Sequence, residues 1–208
     1  MYKRDKVLFM FTDETIRQQS PDVIRAGLEP DTFHGQHFLI NPNIVDAIIG
    51  QIPPSSNVVE IGAGTGVLTE PLVKRVGQHG QVIAYEIDER CMPFLGRLRS
   101  SGNLTVLGED FLNVEEHILN ELDTLQLVGN VPYHILEPLL RMMIDIEFEQ
   151  AILMLPNRFR DMVMARHAGE REWRKSTIIA TAFFKIEPII DAPRDAFVKL
   201  TSYRIIQL

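Results

Sequence analysis

The feature that most constrains this chain is a rhythm. From residue 58 onward, short aliphatic and β-branched runs at 58–61, 81–87, 104–107, 125–128 and 151–155 alternate with helical patterns at 67–76, 89–100, 114–122, 135–144 and 157–168. Parallel strands cannot be joined by tight turns. Each needs a crossover long enough to hold a helix, so the alternation predicts βαβ units in a doubly wound α/β sheet with helices on both faces. Upstream, Ser20-Pro21 pairs an N-cap residue with a proline at the first helical position, and Gly27 supplies a stop. A helix over 42–51 is closed by Pro53-Pro54. The rhythm changes at the end. After a helical stretch at 176–184, the runs 186–191 and 203–208 follow with no helix between them, which predicts a hairpin-like pair and an antiparallel last strand in a seven-stranded sheet.

At 208 residues, the chain is sized for one domain with a short arm. We expect an arm over 1–33 and a single domain over 34–208. The run Val7-Leu8-Phe9-Met10-Phe11 follows Lys3, Arg4 and Lys6 but is too short for a signal peptide, and Thr12-Asp13-Glu14 stands where small residues should be. It reads as a strand or helix fragment packed on the domain. No stretch approaches the ~20 apolar residues of a membrane span, so no membrane contact is expected, and a cytoplasmic monomer is the default expectation. The single cysteine, Cys91, excludes a disulfide framework or a Cys-rich zinc site. His34 and His37 have no acid or thiol at ligand spacing, so no metal is expected. The net charge of -7 speaks against a nucleic-acid binder, but its distribution is uneven. Residues 1–150 carry 11 basic and 22 acidic side chains, whereas 151–208 carry 10 and 6. Arg158, Arg160, Arg166, Arg171, Arg174 and Lys175 form a cluster that reads either as a solvated helix face or as a phosphate-contacting patch.

Between the first strand of the rhythm and its helix lies Glu60-Ile61-Gly62-Ala63-Gly64-Thr65-Gly66. A dinucleotide fingerprint needs glycine or alanine where this chain has Val67. The spacing is instead that of Gly62, Gly64 and Gly66 with the acid Glu60 ahead of them. That form suits the methionine part of S-adenosylmethionine, which has no pyrophosphate to seat. Glu86 closes the second strand and is placed to accept both hydroxyls of a ribose, for which it should be ionised and partly exposed. Glu109-Asp110-Phe111 follows the third strand. Asp110 is positioned either to accept from an adenine amine, with Phe111 against the ring, or to cap the next helix.

The fourth strand ends in Gly129-Asn130-Val131-Pro132-Tyr133-His134-Ile135. An adenine amine is a poor nucleophile because its lone pair is delocalised into the ring. An amide oxygen on Asn130 and a nearby backbone carbonyl, each accepting one N–H, would draw that nitrogen towards a tetrahedral shape. Pro132 fixes the turn, and Tyr133 offers a flat face for a base. Catalysis of this kind is mostly positioning.

These motifs, with Gly35-Gln36-His37-Phe38-Leu39 upstream, resemble the ribosomal RNA adenine N6-dimethyltransferase family, which includes the macrolide-resistance methylases. The resemblance covers about 34–208. It implies a class I methyltransferase, Rossmann-like fold, S-adenosylmethionine as cofactor, and methyl transfer to adenine N6 in RNA, with ribosomal RNA as the expected partner. It also implies that Gln36, His37 and Leu39 bind the cofactor, His37 and Leu39 at its methionine end, and that Phe197 sandwiches a flipped adenine against Tyr133. Three departures stand beside it. The family's proline-rich stretch after that phenylalanine reads Val198-Lys199-Leu200-Thr201 here, its helical RNA-binding domain is not among the 208 residues, and the charge is acidic. An N-methyltransferase of small molecules, lipid or protein, or a non-catalytic RNA-binding assembly factor, is the alternative.

Overall fold

A computed structural model describes residues 7–11, 28, 39, 41–155 and 175–190. Seven strands among them form one sheet: β1 (Val7–Phe11), β2 (Asn57–Ile61), β3 (Gln81–Tyr85), β4 (Leu104–Leu107), β5 (Leu125–Asn130), β6 (Gln150–Met154) and β7 (Lys185–Ile190), in the order β4-β3-β2-β5-β6-β1-β7. Among the described residues, six helices flank it: α1 (Pro42–Gln51), α2 (Thr69–Val76), α3 (Met92–Gly96), α4 (Glu116–Asn120), α5 (Leu136–Asp145) and α6 (Lys175–Phe183).

Burial separates the strands by position. In β2, β5 and β6 nearly every side chain is buried, as expected of parallel strands covered on both faces. The outermost β4 buries only Val106. At the other margin of the described sheet β7 carries Pro188 and a Lys185–Glu187 ion pair. Alternate residues of the central strands feed two cores. Val58, Val82, Val128 and Ile152 meet Ile44 and Ile48 of α1 and Leu72, Val73 and Val76 of α2. Val59, Ile61, Leu127 and Leu153 meet Leu139, Leu140 and Met143 of α5, with Ile179 of α6.

Local chemistry sets the helix bounds. The Asn41 side chain accepts from the N–H groups of Asn43 and Ile44 at 2.9 and 3.4 Å, and Pro42 occupies the first turn, where its missing N–H costs nothing. The helix expected over 89–100 is instead broken. A 3-10 turn (Glu89–Cys91) precedes α3, and a second (Arg99–Ser101) follows it, with Pro93 in the first turn of α3. The apolar spacing of Cys91, Leu95 and Leu98 survives the break.

The sheet differs from expectation in its far half. Every recorded pairing is parallel, and β1 lies between β6 and β7. The seven strands are therefore not the seven suggested by the sequence: the arm contributes one of them. The run 203–208, expected as an antiparallel last strand, lies outside the described residues. So do the helices expected over 21–27 and 157–168.

Candidate active site

The order β3-β2-β5 places β2 beside a strand that is not its neighbour in sequence, and the loops leaving β2 and β5 diverge there. Such a switch point opens a crevice at the carboxyl edge of a parallel sheet. Both principal motifs lie on its rim.

The glycine turn leaves β2 sharply. The N–H groups of Gly62 and Ala63 both donate to the Tyr85 carbonyl, at 2.9 and 3.0 Å, which bends the chain across the end of β3. Gly62, Gly64 and Gly66 have φ values of +72°, +57° and +87°, so the turn alternates through the left-handed region that only glycine enters without strain. A Cβ on Gly66 would also lie 2.9 Å from Leu98 Cδ1. The turn closes when Gly66 N–H donates to the Ala63 carbonyl, and α2 begins three residues later.

Two carboxyl groups brace this turn. Glu60 is 1% exposed and accepts a hydrogen bond from the Thr69 hydroxyl at 2.6 Å. Burial pushes its carboxyl up to about 8; the Thr69 bond opposes this, and the negative charge of Glu86 adds to it. Burial thus favours the neutral form of Glu60. Glu86 is 6% exposed, more buried than a partly solvated ribose acceptor should be. Its Oε2 accepts from Gly64 N–H at 2.6 Å and its Oε1 from Asp88 N–H at 2.7 Å, so the carboxylate stitches the glycine turn to the end of β3. Burial raises its pKa, the Asp88 and Gly64 N–H groups lower it, and the Asp88 charge raises it again.

At the end of β4, Asp110 performs the capping role: its Oδ1 accepts from Leu112 N–H at 3.0 Å and opens a 3-10 turn (Phe111–Asn113). Phe111 is 4% exposed and packs edge-on against Tyr85, with ring centroids 5.2 Å apart. It packs within the core cluster on that face of the sheet.

The Asn130 turn is fixed from the other side. Asn130 pairs in register with Met154 of β6, Val131 N–H donates to the Met154 carbonyl at 3.1 Å, and Ile135 N–H donates to the Pro132 carbonyl at 3.2 Å. Pro132 is half-buried, while Val131 is locked in the core. The backbone of Tyr133 opens a 3-10 turn (Tyr133–Ile135), and its side chain lies outside the described set. Gly129 permits close approach of β5 to β2, since a Cβ there would sit 2.8 Å from the Ile61 carbonyl oxygen.

The two turns meet in one pocket, whose lining includes Leu39, Glu60, Gly62, Gly64, Asn130 and Met154. Its acidic, glycine-rich wall and single amide suit a cationic amino-acid portion such as that of S-adenosylmethionine, and the absent Cβ atoms leave room for it. Gln36, His37, Phe197 and the arginines at 158–174 lie outside the described residues. Thr69 and Met154 were not singled out from sequence. Thr69 was detectable as the hydroxyl in the first turn after the glycines, and Met154 as the last residue of the strand beside β5. Among the described residues, no cluster of His, Cys, Asp and Glu could hold a metal, and no helix is long and apolar enough to cross a membrane.

A parallel α/β sheet with a glycine turn and strand-end acids at its switch point defines a Rossmann-like methyltransferase fold. A family model described as "Ribosomal RNA adenine dimethylase" matches residues 28–200. The chain belongs to that family. It is 34% identical over 167 residues to a "Ribosomal RNA small subunit methyltransferase A" of Thermotoga maritima, covering 79% of this chain and 57% of the relative. A Bacillus cereus protein of the same name is 32% identical over 174 residues, with 79% and 58% covered. Among solved structures, a dimethyladenosine transferase from Plasmodium falciparum aligns with a TM-score of 0.56 and 31% identity over 69% of this chain and 51% of that one. The chain thus spans little more than half the length of these relatives.

Proposed function

We propose that this chain transfers methyl groups from S-adenosylmethionine to the N6 amine of an adenine in RNA, with ribosomal RNA as the substrate class. The observation that carries this reading is the meeting, in one pocket, of the glycine turn after β2 and the Asn130 turn after β5. The cofactor, when bound, supplies an electrophilic methyl. Glu60, Gly62, Gly64, Gly66 and Leu39 hold its methionine end, Glu86 receives its ribose, and Asp110 offers its remaining carboxylate oxygen to the adenine amine. The Asn130 amide oxygen accepts an N6–H of the substrate base and turns its lone pair towards the pocket. Tyr133 and Phe197 hold the base from its two faces, and Gln36 and His37 line the cofactor entry. The names of the relatives supply the ribosomal substrate; the arginines at 158–174 supply phosphate contacts.

The same reading makes 34–208 the catalytic domain, with 203–208 as an antiparallel strand of its sheet, in a cytoplasmic monomer. Incubation with radiolabelled S-adenosylmethionine and total RNA, followed by nucleoside analysis, tests it. The expected product is N6-methyl- or N6,N6-dimethyladenosine. Label appearing only in protein, lipid or small molecules sinks the RNA assignment.

A further inference from the structure

The pocket wall has an unusual charge arrangement for a site that receives a cation. Glu60 lies on β2 and Glu86 just beyond β3, the strand paired with it, and the turn between them is tied to Glu86 through Gly64 N–H. The groups facing Glu60 can be read element by element. From α2 comes the Thr69 hydroxyl, while Glu70 is exposed and engaged by Lys74. From β3 comes the Glu86 carboxylate. From β5 comes only the neutral Asn130 amide. Among the described residues lining the pocket there is no lysine or arginine. Among the described residues, Glu60 therefore has a hydroxyl donor and a like-charged neighbour, but no countercharge. A carboxyl so placed is more stable neutral than charged until a cation arrives.

We propose that Glu60 is a proton-coupled receptor for the cationic part of the cofactor: it stands neutral in the empty pocket and gives up its proton to solvent when S-adenosylmethionine binds. This rests on the reading that the pocket holds that cofactor. The step is a proton transfer alone. The O–H bond of the Glu60 carboxyl breaks, the electron pair stays on the carboxylate, and the proton leaves to buffer as the ligand's ammonium or sulfonium charge takes over the neutralising role. Below the point where the empty-pocket carboxyl ionises, binding then tightens about tenfold for each unit by which pH rises, by proton linkage.

Titration calorimetry of the full chain with S-adenosylmethionine, repeated at pH 7 in buffers of different ionisation enthalpy, counts the protons released. Wild type should release close to one more proton per cofactor than Glu60→Gln, a comparison that cancels any titration of the ligand's own amine. No detectable binding by wild type defeats the cofactor reading itself. Binding with equal proton release in the two proteins overturns the coupling alone. Carbon-13 NMR of carboxyl-labelled glutamate gives an answer even if Glu60→Gln binds poorly. The Glu60 resonance should sit at the protonated position in the free protein at pH 7 and move to the ionised position on saturation. A resonance ionised from the start, or one that stays protonated with cofactor bound, refutes the proposal.

Discussion

The buried carboxyl of Glu60 also makes the stability of the free chain depend on pH, and Glu60→Gln isolates that dependence. In the folded chain the group keeps its proton to about pH 8, against an ordinary value of 4.5. Between those limits the folded state carries one proton more than the unfolded state. Stability must therefore fall as pH rises, by about 1.4 kcal/mol per unit. The contribution is fully present below pH 4.5 and lost as pH passes through 8, a total of up to about 5 kcal/mol, comparable with the whole stability of a marginal domain. Glutamine keeps an oxygen for the Thr69 hydroxyl but cannot titrate. The two proteins should be close in stability at pH 5, and the variant should be the more stable at pH 9. Glu86, also pushed upward by burial, adds a slope of the same sign to both proteins, so the difference curve reports Glu60. Urea titrations from pH 5 to 9 measure it. A difference that stays flat across that range, or that favours wild type increasingly as pH rises, refutes the burial argument.

Three further outcomes follow from the geometry. Asn130→Ala should abolish methyl transfer while leaving cofactor affinity nearly unchanged in calorimetry, because the amide acts on the attacking nitrogen as it becomes tetrahedral. Glu86→Gln should weaken S-adenosylmethionine binding about 10- to 100-fold, the cost of losing charge-assisted hydrogen bonds from both the turn and the ribose; unchanged affinity would remove Glu86 from the site. Gly129→Ala should destabilise the fold by ~1–3 kcal/mol, since its methyl meets the Ile61 carbonyl oxygen at 2.8 Å and β2 must give way, and a urea midpoint equal to wild type would contradict that contact.

How much of this could be read in the sequence depended on how local the cause was. Asn41-Pro42 and Pro53-Pro54 bracket α1 through capping and proline chemistry, and the helix begins and ends where those residues direct. The strands β2 to β6 carry their own burial signature and appear within a residue or two of expectation. The break around α3 was less visible, because apolar spacing continues across Pro93 even though the hydrogen bonding does not. The place of β1 was not legible at all. Nothing within Val7–Phe11 names β6 and β7 as its partners; that pairing is decided by the rest of the sheet. At the site, the residue types and spacing were legible and their electrostatic states were not. The partly exposed Glu86 expected from its strand-end position is instead drawn inward, its carboxylate held by two backbone N–H donors that only the folded turn supplies.

The way the two halves of the pocket are braced explains why binding and turnover should separate on mutation. The glycine turn is anchored to β3, through the Tyr85 carbonyl and the Glu86 carboxylate, and continues into α2 on one face of the sheet. The Asn130 turn is anchored to β6, through Val131 N–H and the Met154 carbonyl, and continues into α5 on the other face. The two meet only at the switch point, where a Cβ on Gly62 would be 3.8 Å from the Asn130 carbonyl oxygen. Removing the Asn130 amide therefore leaves the anchors of the cofactor wall intact, whereas loss of the Glu86 carboxylate releases Gly64 and Asp88 together and should be felt first in cofactor affinity.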